Sequence, residues 1–285
     1  MTSTVLDVGL CLVLVSAAAV SLATVGGPTS SPSTTVGSQP SARATDAART
    51  LGTVTATVEY NLSVGPSCPA AAACRRYTTK TLAGLLAAAT MRNVVVDGRR
   101  LSPTDGAFGR AVRRRVAAAT PPRTQVVARW RPYPDSHVRA TFRVGPAPPR
   151  GASVSATTLS VPSGVDQGTS MRTVPDALVG GLFPPARLRL ALTGDEPSSR
   201  LAAARYRRAG RLYGVDLDEA VESGDAEAAN DRLTEAVTER VAADVSDRDP
   251  DEVTLRLSVV HLTVRVWEAP PTVGAESDRS DEVES

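Results

Sequence analysis

The side chains best suited to acid–base or metal chemistry are two histidines, His137 in a predicted turn and His261 in a predicted strand. Histidine is a common general base and metal ligand because it titrates near neutral pH. Neither histidine belongs to a paired-histidine zinc motif, and the sequence has no phosphate-binding glycine loop and no G-x-S-x-G nucleophile motif. We therefore predict no enzyme activity, no cofactor and no metal site. A Ser–His–Asp site assembled from distant residues stays open as an alternative.

Two of the three cysteines, Cys68 and Cys74, flank the segment CPAAAAC and are close enough to close a seven-residue ring. We expect a disulfide between them, worth roughly 2 kcal/mol of stability; the alternative is two unpaired small hydrophobic side chains. Asn61 opens the glycosylation sequon NLS on the polar face of a predicted strand. Both features are typical of a domain outside the cytoplasm, where disulfides persist.

The densest basic cluster lies in RAVRRRVAAA and contains Arg110, Arg113, Arg114 and Arg115. On a helix, Arg110, Arg113 and Arg114 share a face, so the spacing predicts a basic stripe. Phosphate is one ligand for such a stripe, but outside the membrane we expect no nucleic acid and favour an acidic protein, including the acidic half of another copy. The alternative is a solvated face or one paired within the molecule.

Charge is separated along the chain, although the net charge is only +2. Residues 75–150 contain sixteen Lys or Arg and three Asp or Glu, whereas residues 195–285 contain eleven and twenty-two. Such asymmetry predicts that the halves pack together, that copies associate head to tail, or that the basic half meets an acidic partner. Two solvated faces without a partner remain the alternative.

The longest apolar stretch covers residues 8–25 and contains no charged residue. As a helix it would be about 27 Å long, just under the roughly 30 Å hydrocarbon thickness of a bilayer. No Lys or Arg precedes it, so we predict a retained anchor rather than a cleaved signal peptide or a buried soluble helix. Asp7 at its start caps the helix dipole, or pairs with a cation of a neighbouring subunit as in pilin-like filaments.

Periodicity predicts the main helices and strands. Residues 53–64 alternate polar and apolar side chains and so predict a half-buried strand. Apolar side chains recur at helical spacing over 104–119, 197–212 and 225–245. Further strands are predicted at TQVVARW, HVRATFRV, ASVSATTLSVP and EVTLRLSVVHLTVRVWE. In the last of these the apolar phase slips by one residue, which predicts a bulge near Val260 and His261.

The predicted fold class is α+β: an N-terminal transmembrane helix followed by an external antiparallel sheet covered by helices. We divide the chain into an anchor (1–27), a Ser/Thr/Pro/Gly-rich linker (28–50), a basic α+β unit (51–165), an acidic α+β unit (166–269) and a disordered acidic tail (270–285). The alternative is one domain that includes both units.

The segments AVRRRVAAAT and AVTERVAADV match in their apolar positions, which suggests two helix–strand units, with chance similarity as the alternative.

The segments STVLDVGLCLVLVSAAAV, RTQVVARWRPYPDSHV, SVSATTLSVPSG and LTVRVWE together resemble an uncharacterised family of haloarchaeal membrane-anchored proteins. That family is associated with gene clusters for an archaeal pilus or Tad-like secretion machine. The resemblance implies a surface or pseudopilus accessory role with no catalytic residues. We therefore predict a single-pass protein of the cell membrane whose domain outside the cytoplasm binds protein partners or further copies. The alternatives are an anchored ligand-binding module, with Trp130, Tyr133 and Trp267 in its pocket, and an anchored hydrolase.

Overall fold

The computed structural model describes residues 40–62, 74–104 and 106–268. The predicted anchor with Asp7, the predicted disulfide partner Cys68, and the predicted tail at 270–285 lie outside these residues, so those predictions are not tested. Among the described residues, no helix is long and apolar enough to cross a membrane. The described residues belong to one compact unit that begins at Gln39.

Eight strands occur in the described residues, and all their pairings are antiparallel. They are β1 (Thr55–Asn61), β2 (Arg75–Thr81), β3 (Val95–Val96), β4 (Arg99–Arg100), β5 (Thr124–Trp130), β6 (Val138–Val144), β7 (Val154–Pro162) and β8 (Val259–Trp267). Strands β1 and β2 form a hairpin, and the other six form one sheet in the order β4-β3-β6-β5-β8-β7. Because β8 lies between β5 and β7, the predicted basic and acidic units share one sheet.

Alternation of side chains gives the sheet a core face and an outer face. Strand β6 is the clearest case: Val138, Ala140, Phe142 and Val144 are buried, while the arginines and threonine between them are exposed. The same alternation is seen in β1, as the sequence predicted. Strand β6 is followed by Gly145, which has a φ of +81°. A Cβ at this position would collide with the carbonyl oxygen of Thr124, so only glycine fits here.

The helices of the described residues are α1 (Pro40–Thr53), α2 (Leu82–Arg92), α3 (Ala107–Ala119), α4 (Val174–Leu182), α5 (Pro185–Leu192), α6 (Ser198–Tyr213), α7 (Asp218–Glu222) and α8 (Ala226–Asp244). Thr81 caps α2 by accepting from Gly84 N–H, and Asp225 caps α8 by accepting from Ala228 N–H. The predicted helices correspond to α3, α6 and α8. In α8 the predicted apolar stripe of Leu233, Val237 and Val241 is buried.

The first helix corrects the predicted linker, which extended to residue 50. Residues 40–53 instead form α1, where Ala44, Ala47 and Leu51 recur at helical spacing and are buried. This helix packs against β7 and β8. Its buried stripe consists mainly of alanines, so the polar composition of the segment masked the periodicity.

One hydrophobic core joins the sheet to all the major helices. Helices α1 and α2 pack on the sheet, and α3 packs on α2 and the β1 strand. Helices α4 to α8 pack together beside the β5–β6 connection, where Tyr133 contacts Asp244 and Arg248 contacts Asp135. The two helices that the sequence compared, α3 and α8, precede β5 and β8 respectively, and these two strands pair with each other.

The last strand corrects the predicted bulge. Strand β8 begins only at Val259, and its register with β5 and β7 runs without interruption through His261. Residues 253–258 are a connecting segment in which Leu257 is fully buried and its carbonyl accepts from Trp130 Nε1. The slip in apolar phase therefore marks the beginning of the strand rather than a bulge within it.

Candidate functional site

His137 lies in the β5–β6 connection and is at the centre of a buried hydrogen-bond network. Its Nδ1 is 2.6 Å from Asp244 Oδ2, and its backbone N–H donates to the same oxygen at 2.9 Å. The Tyr133 hydroxyl donates to this carboxylate at 2.8 Å, while His137 Nε2 is 3.1 Å from the Tyr213 hydroxyl. The His137 side chain is 2% exposed and that of Asp244 is 12% exposed.

The ionisation of this cluster follows from burial and hydrogen bonding. Burial acts to raise the pKa of Asp244, but hydrogen bonds from His137 and Tyr133 outweigh it, so the net pKa is lowered. Burial raises the pKa of both Tyr133 and Tyr213 well above the ordinary value for tyrosine. Asp244 Oδ2 accepts from the His137 backbone N–H and from the Tyr133 hydroxyl, and the two ring nitrogens of His137 lie within hydrogen-bond distance of Asp244 and Tyr213.

An Asp–His pair could serve as a general base if a nucleophile lay at Nε2. Here the group at Nε2 is a tyrosine whose raised pKa disfavours the phenolate, and no described serine or cysteine hydrogen-bonds to this nitrogen. The network instead joins the β5–β6 connection to α6 and α8. Its geometry is that of a satisfied structural cluster.

The second histidine lies on the outer face of β8, opposite Arg129 on β5 and Ser160 on β7. Its Nε2 is buried and has no hydrogen-bond partner among the described residues. The two histidines are therefore not brought together, and His261 is not paired with a described carboxylate. Trp130 and Trp267 are also on different faces of the sheet. Trp130 belongs to the core face, whereas Trp267 is at an outer-face position of β8. The two side chains therefore do not form an aromatic pocket.

A cleft of about 600 Å³ lies between the start of α4 and the end of α8. Its lining is mixed, with Met171, Val241 and Val245 beside Arg172 and Asp251. It contains no aromatic side chain and no histidine. This cleft therefore does not match the aromatic pocket that a ligand-binding module was expected to have.

A smaller cavity of about 140 Å³ at the beginning of α3 is lined by four arginines, Arg92, Arg100, Arg110 and Arg113. A Cβ on Gly106 would lie 3.9 Å from both Arg100 Nη2 and Arg110 Nη1, so these two guanidinium groups converge there. Arg92 stacks 3.6 Å from the centre of the Phe108 ring, and Arg113 lies 4.6 Å from that of Phe142. We call this cavity the arginine pocket.

The arginine pocket divides the basic cluster that the sequence predicted. Arg110 and Arg113 line the pocket, whereas Arg114 and Arg115 are exposed and outside its lining. The sequence did not reveal Arg92 and Arg100, because the end of α2 and strand β4 bring them to α3 only in the folded chain. Asp105, which precedes Gly106 in the sequence, lies outside the described residues.

The other predicted sites are only partly described. Asn61 is the last residue of β1 and is exposed, but Ser63 of its sequon lies outside the described residues. Cys74 is buried just before β2, and its carbonyl accepts from Leu62 N–H. Glycosylation of Asn61 and a Cys68–Cys74 disulfide therefore stay predictions.

A cluster of arginines lies on the outer face of the central strands. Alternation places Arg129 of β5, Arg139 and Arg143 of β6, and Arg265 of β8 on this face; the first three are exposed and Arg265 is half-buried. The outer-face positions of β5 to β8 include no carboxylate, and no described carboxylate forms an ion pair with any of the four. Val127, opposite Arg143 and Thr263, is the buried centre of this surface. We call the four arginines the basic face.

Helix α8 carries the opposite charge. Glu227, Asp231, Glu235 and Glu239 are all exposed and repeat every four residues, so they form one row along the helix. The ion pairs of α8 use other residues: Arg232 pairs with Glu219 at 3.0 Å and Arg240 with Asp97 at 2.8 Å. None of the four carboxylates in the row pairs with a described cation. We call this row the acidic stripe.

Fold and surface together define a mixed α+β domain whose six-stranded antiparallel sheet carries exposed arginines on the face away from the core. The chain belongs to DUF7284, a family of unknown function, whose model matches residues 6–267. No match was found among curated proteins, and none among solved structures.

Proposed function

We propose that this protein is a non-catalytic interaction protein that docks an acidic protein partner on the basic face. The observation that carries the proposal is the set of four outward-pointing arginines without a described carboxylate among them. Charged surfaces of this kind steer association with partners of opposite charge and select among them. Four arginines of α6 to α8, by contrast, are paired with carboxylates within the fold.

The His137 network supports a non-catalytic role. The polar atoms of its ring are taken up by Asp244 and Tyr213, and its side chain is 2% exposed, so a substrate would have to displace structural contacts to reach it. A general base must be within hydrogen-bond reach of the proton that it removes. The hydrolase alternative is therefore the least supported by geometry.

The proposed location rests on the sequence. The apolar stretch over 8–25 would anchor the chain in the cell membrane, and Asn61, Cys68 and Cys74 favour a domain outside the cytoplasm. The resemblance described above would make the partner a component of a pilus-like or secretion assembly. Retention of the chain in the membrane pellet after an alkaline carbonate wash tests the anchor separately.

Affinity purification with chemical crosslinking from membranes tests the docking surface. We expect the full chain to recover an acidic protein and Arg129→Glu/Arg143→Glu to lose it. The matched control is Arg114→Glu/Arg115→Glu, which reverses two exposed arginines of α3 outside the basic face. If the control variant loses the partner and the basic-face variant keeps it, the partner binds the α3 arginines and the proposal is wrong.

The arginine pocket supports a second candidate function, binding of a small anionic ligand. Arg92, Arg100 and Arg113 contact aromatic rings, carbonyls or Asn93, and none pairs with a described carboxylate. Guanidinium groups bind carboxylates and phosphates through paired hydrogen bonds. Calorimetric titration with inorganic phosphate and with citrate, compared between the wild-type chain and Arg100→Gln, tests this function. Heats that are equal in the two proteins would reject it.

A further inference from the structure

The acidic stripe and the basic face match in length and number of charges. The stripe spans twelve residues of helix, or about 18 Å, with a carboxylate about every 6 Å. On the sheet, Arg139 and Arg265 are separated by two strand spacings and six residues of register, or about 22 Å. Arg129 and Arg143 lie between them. Each surface therefore presents four like charges over a similar length, and the acidic stripe turns about 120° around α8 between Glu227 and Glu239.

These two surfaces cannot neutralise each other within one molecule. The basic face is on the side of the sheet away from the core, while the buried residues of α8, including Leu233 and Val237, turn its acidic stripe away from the same core. Helix α8 contacts α4, α5, α6 and α7. Two outward-facing surfaces of opposite charge can meet only between molecules.

Each surface carries an energetic cost while it is alone. Like charges four residues apart destabilise a helix, and the acidic stripe contains three such pairs in succession. Diagonal neighbours such as Arg129 and Arg143 also repel one another across the sheet. Docking of one surface on the other relieves both repulsions.

We propose that the partner is a second copy of this chain, whose acidic stripe docks lengthwise on the basic face. This inference rests on the proposed function and names the partner for that surface. The contact joins two different patches, so it is heterologous, and a pair of molecules keeps one free acidic stripe and one free basic face. Repetition of the contact gives a ring or an open row of molecules.

The expected affinity is modest because the charges are exposed to solvent. Exposed ion pairs contribute little to affinity and weaken as salt screens them. Confinement of tethered copies to one surface raises their effective concentration and favours repetition of the contact. The interaction is therefore expected to be salt-sensitive and to strengthen with protein density.

Charge exchange tests the docking directly, by sedimentation and crosslinking of the full chain in neutral detergent at low salt. The stripe variant is Glu235→Arg/Glu239→Arg, and the face variant is Arg129→Glu/Arg143→Glu. Each alone should weaken self-association at least about tenfold, which corresponds to 1.4 kcal/mol. An equimolar mixture should recover association, because the reversed stripe of one variant fits the reversed face of the other.

The matched control is Asp247→Arg/Glu252→Arg, which reverses two exposed acidic residues outside the stripe and should associate as the wild-type chain does. Circular dichroism establishes that each variant is folded. A wild-type chain that stays monomeric at low salt, or folded variants that do not recover on mixing, overturn the inference. If the stripe variant still recovers the acidic partner from membranes while the face variant does not, docking on the basic face stands and only its assignment to a second copy fails.

Discussion

Four arginines of the helical region are paired with carboxylates, whereas the four arginines of the basic face are not paired with a described carboxylate. In α6 to α8, Arg200 pairs with Glu196 at 2.6 Å and Arg207 with Asp218 at 2.8 Å, and Arg232 and Arg240 are paired as well. On the outer face of the sheet, four arginines stand without a described carboxylate. The two regions share one core and one compact unit, so the difference does not reflect separate domains.

Under the proposed function, this contrast would separate charges that serve the fold from charges that serve an interaction. Even Arg205, whose pKa is lowered to about 10 mainly by burial, donates to the Leu182 carbonyl at the end of α4 and stacks near Phe183. Its charge also meets the negative end of that helix dipole. Substitution of a buried or paired charged group should therefore lower stability. Substitution of arginines in the basic face should instead weaken association.

Removal of the Asp244 carboxylate should have the largest effect on stability. In Asp244→Ala, the Tyr133 hydroxyl and two donors of His137 lose their acceptor in a buried site, so we expect a loss of about 3 kcal/mol in the free energy of unfolding. Urea denaturation measures it. Asp247→Ala, at an exposed position shortly after α8, is the control and should unfold like the wild type.

The pH dependence of unfolding tests whether the ionised carboxylate of Asp244 is responsible for this loss of stability. Its pKa is lowered in the fold, so its contribution is fully present above the ordinary carboxyl value of 3.8 and is lost as pH falls through the lowered value. In the stability difference between the wild type and Asp244→Asn, this contribution should therefore shrink only as pH falls below 3.8. A difference in urea midpoint that stays the same well below pH 3.8 would show that the carboxylate charge is unimportant.

A smaller effect is expected inside the helical region at Tyr206. Its hydroxyl donates to Asn230 Oδ1 at 2.8 Å, and Asn230 Nδ2 donates to the Phe183 carbonyl at 2.8 Å. Tyr206→Phe leaves the buried Asn230 oxygen without its donor and should cost about 1 kcal/mol. Thermal unfolding measures this cost, and an unchanged midpoint would mean that water replaces the lost hydroxyl.

The smallest effect on stability is expected at the basic face. Arg129→Gln/Arg143→Gln removes charges that repel each other and are not paired with a described carboxylate, so the free energy of unfolding should change by no more than about 0.5 kcal/mol. The same variant should lose salt-sensitive association in sedimentation. A loss of several kcal/mol would place these arginines with the structural charges and break the contrast.

Much of the sheet and the long helices could be predicted from periodicity. Strand β5 coincides with the predicted segment, and β6, α3 and α8 lie within a few residues of the predicted bounds, because their apolar side chains repeat at two or about 3.6 residues. Helix α1 and strand β2 could not be found in this way. The first has a narrow alanine stripe in a polar segment, and the second, RRYTTKT, has no fully buried residue.

The functional surfaces were harder to predict, because they are assembled across the sheet. Arg129, Arg139 and Arg265 are far apart in sequence and become neighbours only through the register of β6, β5 and β8. The partner of His137 is 107 residues away on α8, so the Asp244 contact could not be predicted from the sequence. Only the overall charge asymmetry of the chain was predicted, and the four-residue repeat of Glu227, Asp231, Glu235 and Glu239 within it was not.

The position of β8 has a consequence for the synthesis of this domain. Because the final strand inserts between β5 and β7, β7 has no place in the sheet until the chain has been made through Trp267. An emerging chain therefore exposes the unpaired edges of both strands to chaperones and to neighbouring chains until β8 has been made. Folding of the domain therefore depends on the synthesis of β8. A premature stop even shortly before residue 259 should yield an aggregation-prone product rather than a smaller stable domain.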